Sequence, residues 1–161
     1  MRIKKATFVF VPPSKKGEYK VRQKHGNMAT SKVEYLGNLS TKCTHIKSGV
    51  EIITDAPTDN NGKGASFSPT DLLATSYASC LITIVGIYCE EHEIDFTSCT
   101  AEVTKIMGSV PRRVAELQID LDFSKNKWSE TIQKRIKRAG EACPVAKSVK
   151  SEMKIEFVYH F

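Results

Sequence analysis

The sequence predicts an α+β protein, with strands and helices in separate runs rather than in strict alternation. Three observations predict it. Residues 72–89 carry no charged side chain and follow a strong helix start at Ser68-Pro69-Thr70-Asp71. Residues 113–123 alternate Ala115, Leu117, Ile119, Leu121 and Phe123 with Glu116, Gln118, Asp120 and Asp122. The last residues repeat that period of two through Met153, Ile155, Phe157, Tyr159 and Phe161. A period of two with one apolar and one polar face is that of a half-buried strand in an antiparallel sheet.

Before these elements comes a basic leader. Residues 1–27 hold eight Lys/Arg and one acid, Glu18, against 16 basic and 17 acidic residues in 28–161. The formal charge of +6 therefore belongs to the leader, and the body is near neutral. A nucleic-acid-binding domain needs a basic face on its folded part, so no nucleic-acid partner is expected. Residues 1–27 are expected to be a flexible extension or the product of an upstream start, with an edge strand possible at 6–11. Residues 28–161 are expected to form the domain, a length that suits one core or two small lobes sharing it.

In the first part of that domain, strands are expected at 33–36, 43–46 and 50–54, turned at Gly37-Asn38 and at Lys47-Ser48-Gly49. The Asp-, Asn- and Gly-rich loop at 55–67 is long enough to be functional. Ser68 then reads as the N-cap of a capping box, with Pro69 at the first helical position and Asp71 reaching back. By length the uncharged run at 72–89 suits a membrane span. Thr75, Ser76, Tyr77, Ser79 and Thr83, and the absence of a cationic anchor beside Glu90-Glu91, argue against one. A helix apolar nearly all round in a chain this small predicts burial in a core, completed by a partner subunit. A strand at 96–106 should turn through 108–111 into the strand at 113–123. Ser129 should cap a second helix with Ile132 and Ile136 facing inward and Gly140 loosening its end. Cys143-Pro144 opens a short helical segment to about Ser148, and the final strand closes the chain.

The five cysteines, Cys43, Cys80, Cys89, Cys99 and Cys143, form an odd set with no Cys-x-x-Cys. The sequence shows no cleavable secretory signal. Reduced thiols in the cytoplasm are expected. Neither His45 nor His92 stands at zinc-ligand spacing from a cysteine. Cys43, Cys89 and Cys99 read as small packed hydrophobes. Cys80 and Cys143 are the candidate dithiol, because both sit at defined helical positions. The thiolate is the nucleophile. Backbone N–H groups at the helix mouth would serve Cys143. Cys80 lies about three turns inside its helix, where that field has faded. It shares a face with Leu73, Ser76, Tyr77, Ile84 and Ile87; the Ser76 or Tyr77 hydroxyl could bond its thiolate, but a cation would do more, so a reactive Cys80 needs a basic residue brought from elsewhere.

The run Ser68-Pro69-Thr70-Asp71-Leu72-Leu73-Ala74-Thr75-Ser76-Tyr77-Ala78-Ser79-Cys80 resembles the first signature of the OsmC family, which includes the organic hydroperoxide resistance proteins. Cys143-Pro144-Val145-Ala146-Lys147-Ser148 resembles the second. The resemblance covers 33–161. It implies an intertwined homodimer, with curved antiparallel sheets around central helices. It also implies a cysteine-based peroxidase of the oxidative stress response, with an organic hydroperoxide as substrate and an external dithiol as reductant. In those terms Cys80 becomes a sulfenic acid and Cys143 closes a disulfide with it. No metal, haem or flavin cofactor and no membrane is implied.

Peroxidatic members of the family pair an arginine of the N-terminal strand region with a glutamate in the loop before the long helix. Asp59 is the candidate acid here. The arginine's place falls near Ser40, and Lys42 is the nearest cation. No arginine occurs between Arg22 and Arg112, and lysine does not reproduce a guanidinium fork. Three alternatives stay open: Lys42 serves, Arg112-Arg113 arrives from the hairpin, or the chain lacks fast peroxidase chemistry. In the last case it would bind an apolar or electrophilic small molecule, or sense redox state. A third class of reading, an anionic-surface binder acting through the leader, predicts binding that disappears on truncation at Met28 and weakens with salt.

Overall fold

A computed structural model describes residues 29–149 and 151–161. The leader at 1–27, with its expected edge strand, lies outside the described residues. The fold is the predicted α+β arrangement, with two three-stranded sheets and three α-helices among the described residues. The first sheet is an antiparallel meander of β1 (Ser31–Gly37), β2 (Ser40–His45) and β3 (Glu51–Asp55). Its first turn is the two-residue Asn38-Leu39, one position later than expected, with both residues at positive φ. Such turns match the twist of the flanking strands, and the Leu39 N–H donates to the Tyr35 hydroxyl at 3.2 Å.

Asp55 ends β3 and organises the loop that follows. Its buried carboxylate accepts from the N–H groups of Ala56 and Ala65 and from the Ser40 hydroxyl, at 3.0, 3.0 and 3.1 Å. These bonds fold residues 55–67 back on themselves, with one 3-10 turn at Thr58–Asn60.

The first long helix, α1 (Pro69–Glu91), begins as the sequence predicts. Ser68 accepts from the Asp71 N–H at 3.1 Å, and Asp71 accepts from the Ser68 N–H at 2.7 Å. Lys105 from β4 (Thr100–Ser109) reinforces this start, with its ammonium 2.6 Å from Asp71 Oδ1 and bonded to Ser68 and Thr70. Helix α1 buries one stripe: Ala74, Tyr77, Ala78, Leu81, Val85 and Cys89. The opposite face, with Leu73, Thr75, Ser76, Ser79, Thr83 and Ile87, is exposed. The expectation of burial all round is thus met on one side within a single chain. α1 is long and apolar enough to span a membrane, but its buried stripe packs into this chain's own core.

β4 starts four residues later than expected. The segment before it is held by Asn126, whose Oδ1 accepts from the Thr97 N–H at 2.7 Å and whose Nδ2 donates to the Ser98 carbonyl at 2.6 Å. Those backbone groups are therefore spent on a side chain rather than on a ladder. β4 pairs antiparallel with β5 (Arg112–Asp122) across the two-residue turn Val110-Pro111. Leu117, Ile119, Leu121 and Phe123 form the core floor, each essentially inaccessible.

α2 (Glu130–Glu141) and α3 (Pro144–Ser148) carry the chain back to the start of the sheet, and β6 (Lys154–His160) joins β5 in parallel. A parallel partner requires such a crossover, so this one pairing departs from the antiparallel rule of the other strands. Ser129 stands at the N-cap of α2, but its side chain makes no capping bond. Gly140 does not loosen the end of α2. It is buried against α1, and a Cβ there would meet Leu81 Cγ at 2.9 Å.

Candidate functional site

Two helices converge on the thiols. Cys80 lies at mid-length of α1, at the edge of the helix's buried stripe, and is partly exposed. Cys143 follows α2 at once and caps α3 in extended conformation, its sulfur accepting from the Ala146 N–H at 3.4 Å. It is fully buried. The close approach of Gly140 to Leu81 sets α2 against α1 one residue from Cys80 and three residues before Cys143, and this packing brings the two sulfurs together. The Cys143 thiol is pushed up by burial. The Ala146 and Val145 N–H groups pull the other way, and the neighbouring Cys80 sulfur pushes it further up. The helix mouth does supply N–H groups to Cys143, as its position predicts. Burial and the neighbouring sulfur outweigh them and hold the Cys143 thiol above its ordinary value.

Tyr77 lies one turn before Cys80 on the same face of α1, with its ring 6.1 Å from Phe157. Burial raises its phenol, with Cys143, Glu141 and Cys80 adding to the shift. Glu141, the last residue of α2, accepts a hydrogen bond from the Tyr159 hydroxyl at 3.0 Å. No cation is among the leading influences on Cys143. The sequence signal for Tyr77 was its spacing of three from Cys80. Glu141 and Tyr159 gave none, because only the fold sets β6 beside the end of α2.

The other candidate residues lie elsewhere in the single chain. Lys42 stands on β2 between Glu51 at 3.3 Å and Glu34 at 3.6 Å. The Glu51 hydrogen bond, then the charges of Glu51 and Glu34, hold its ammonium above lysine's ordinary value. Asp59 pairs with Arg112 at 3.0 Å, and Arg113 donates to the Pro111 carbonyl of its own turn. The expected acid therefore meets an arginine, from the β4–β5 hairpin.

The placement of that hairpin follows from β4. Clefts along α1 set Ala101 by Ser79 and Thr83, Val103 by Thr75, and Lys105 by Asp71. The hairpin tip with Arg112 thus points past the N-terminus of α1, away from Cys80. Among the described residues, no cluster of His, Cys, Asp and Glu could hold a metal ion.

A family model for OsmC-like proteins matches residues 62–158, more than half of the chain, with both cysteine motifs inside the match. The chain belongs to the OsmC-like family. A solved structure from Psychrobacter arcticus, described as that of a candidate osmotic stress induced and detoxification response protein, is 48% identical, with a TM-score of 0.80. The match covers 84% of this OsmC-like chain and 98% of that one. An organic hydroperoxide resistance protein OsmC from Legionella pneumophila shares the fold at 11% identity, with a TM-score of 0.67 over 84% of this chain and 100% of that one. The organic hydroperoxide resistance protein OhrB of Bacillus subtilis does so at 15% identity, with a TM-score of 0.58 over 81% and 98%. At those identities the likeness is one of fold. No curated protein matches the chain.

Proposed function

We propose that this OsmC-like protein is a thiol peroxidase that reduces organic hydroperoxides in a reducing, cytoplasmic setting. One observation carries the reading: a partly exposed thiol on α1 neighbours a buried thiol at the mouth of α3. That asymmetry supports the following roles. The Cys80 thiolate attacks the distal oxygen of ROOH, the O–O bond breaks, and ROH leaves with one added proton. Cys80 becomes a sulfenic acid. Cys143 then forms the S–S bond, its proton and the sulfenic hydroxyl leaving as water. An external dithiol reduces the disulfide by exchange. The apolar residues beside Cys80, with Leu73 and Ile87 exposed, suit an alkyl or lipid chain better than hydrogen peroxide.

The working unit in this reading is a homodimer. Val33, Tyr35, Leu36, Ile52 and Ile53 of the first sheet are exposed, as are Leu73 and Ile87 of α1. Apolar surface on this scale marks an interaction site. Lys42 and Asp59 lie away from the thiols in the single chain, so a role for either requires a second copy to bring it to Cys80.

A second reading, a non-peroxidatic protein that binds an apolar or electrophilic small molecule or senses redox state, draws on the fact that, among the described residues, no cation is a leading influence on Cys143. Steady-state turnover of cumene hydroperoxide with a dithiol reductant separates the two. Turnover lost in Cys80→Ser supports the peroxidase; stoichiometric reaction without turnover supports the binder.

A further inference from the structure

We infer that Tyr77 is a positioning residue for the thiol pair, a neutral hydrogen-bond donor that turns to the Cys80 sulfur when that sulfur carries negative charge. Three features of its place in the fold carry this. The first is spacing: three residues apart on α1, Tyr77 and Cys80 project to the same side of the helix. The second is an uncommitted hydroxyl. Tyr77 is 4% exposed, yet among the described residues its hydroxyl enters no side-chain hydrogen bond, while no fully enclosed side-chain N or O atom is left unpaired. A phenol in an apolar core normally finds a partner, so this one keeps only a narrow opening and a free donor beside two sulfurs. The third is its charge surroundings. Among the described residues, the groups that act on its phenol are Cys143 at the mouth of α3, Glu141 at the end of α2 and Cys80 on the same helix, and it acts in turn on Tyr159 of β6. None is a cation, and Glu141 is fixed by the Tyr159 hydroxyl.

In such a setting the phenol remains protonated. Its hydroxyl is buried and can donate to a charged sulfur without itself ionising. Hydrogen bonds to a reacting group are commonly long in the resting protein and tighten when charge develops. The ring's contact with Phe157 anchors its body while the hydroxyl end adjusts. Tyr77 thus supplies part of the stabilisation that an adjacent cation would give, and Glu141 keeps it in the donating form.

This inference rests on the peroxidase reading for its purpose, but its test does not use hydroperoxide. The rate of Cys80 alkylation by iodoacetamide is measured against pH, with the modified cysteine identified by peptide mapping, in the full chain and in Tyr77→Phe. Phenylalanine keeps the ring and its packing. The expected result is a rise of about one pH unit in the alkylation midpoint, a roughly tenfold loss of thiolate at fixed pH. Tyr77→Met, which also removes the hydroxyl and fills a core site with a flexible apolar side chain, should raise the midpoint in the same direction. That variant keeps the test open if Tyr77→Phe fails to fold. An unchanged midpoint in either folded variant overturns the inference. If the midpoints shift as expected while neither protein turns over hydroperoxide, the positioning role stands and the peroxidase reading falls.

Discussion

Gly140 of α2 sits so close to Leu81 of α1 that a Cβ on it would lie 2.9 Å from Leu81 Cγ and 3.2 Å from Val85 Cγ2. Leu81 follows Cys80 directly, and Gly140 precedes Cys143 by three residues, so this one contact governs how the two thiols meet. Gly140→Ala should push the helices apart, at a cost of about 1–3 kcal/mol for overpacking a filled core. Urea unfolding reads that loss. The rate of Cys80–Cys143 disulfide formation should fall with it, and a variant that closes the disulfide at the normal rate would show that the sulfurs do not depend on this packing.

Cys143→Ser should let Cys80 oxidise once and stop. A sulfenic acid should then accumulate and be trapped by dimedone, because Cys43, Cys89 and Cys99 lie away from the thiol pair. Burial holds Cys89 above the ordinary thiol range and pushes Cys99, with help from Asp122, to about 11. A full disulfide cycle in this variant would identify another cysteine as the resolving thiol.

Much of this site is legible in the sequence, and what is not has physical causes. The capping box fixes where α1 begins, and counting from it puts Cys80 mid-helix. The Cys-Pro pair puts Cys143 at a helix mouth. The mixed α+β class follows from the alternation of residues 113–123. Burial of α1 on one face only is not legible, because composition does not tell a core helix from one waiting for a second subunit. The late start of β4 depends on Asn126, about 30 residues away, taking the backbone groups of Thr97 and Ser98. The partner of Asp59 could not be chosen from spacing either. Lys42 is nearer in sequence, but β2 gives it to Glu34 and Glu51, and the β4–β5 hairpin delivers Arg112 to Asp59.

Acid should loosen the entry to α1 before it melts the core. The N–H of Ala65 leads the groups that hold Asp55 below the usual carboxylate range, partial desolvation opposing it and the Ser40 hydroxyl assisting. At Asp71 desolvation is the largest single influence and opposes ionisation, but Lys105 and Ser68 together outweigh it and keep its value low. A carboxyl depressed on folding contributes stability that is present above its unfolded pKa, near 4, and is lost as pH falls through the folded value. Amide exchange of Ala65, Ser68 and Asp71 should therefore accelerate below about pH 4. In Asp55→Asn the acid dependence at Ala65 should disappear. Acceleration that began near neutral pH would point to another group.

Leu73 and Ile87 flank Cys80 on the exposed face of α1. Leu73→Asp should weaken self-association, read by sedimentation velocity, without unfolding the chain, because the side chain already faces solvent in the single copy. Hydroperoxide turnover should fall in step with dissociation if a second copy completes the site. A monomeric variant with full activity would remove Lys42 and Asp59 of any second copy from the reaction.

The most direct test of the account uses one turnover. Fully reduced protein is mixed with one equivalent of cumene hydroperoxide, quenched within seconds, and its cysteines are mapped by mass spectrometry. The account predicts a Cys80–Cys143 disulfide in high yield, with Cys43, Cys89 and Cys99 still reduced. Two intact thiols at Cys80 and Cys143 would contradict it, and would mean that the chain keeps the OsmC-like fold without peroxidase chemistry.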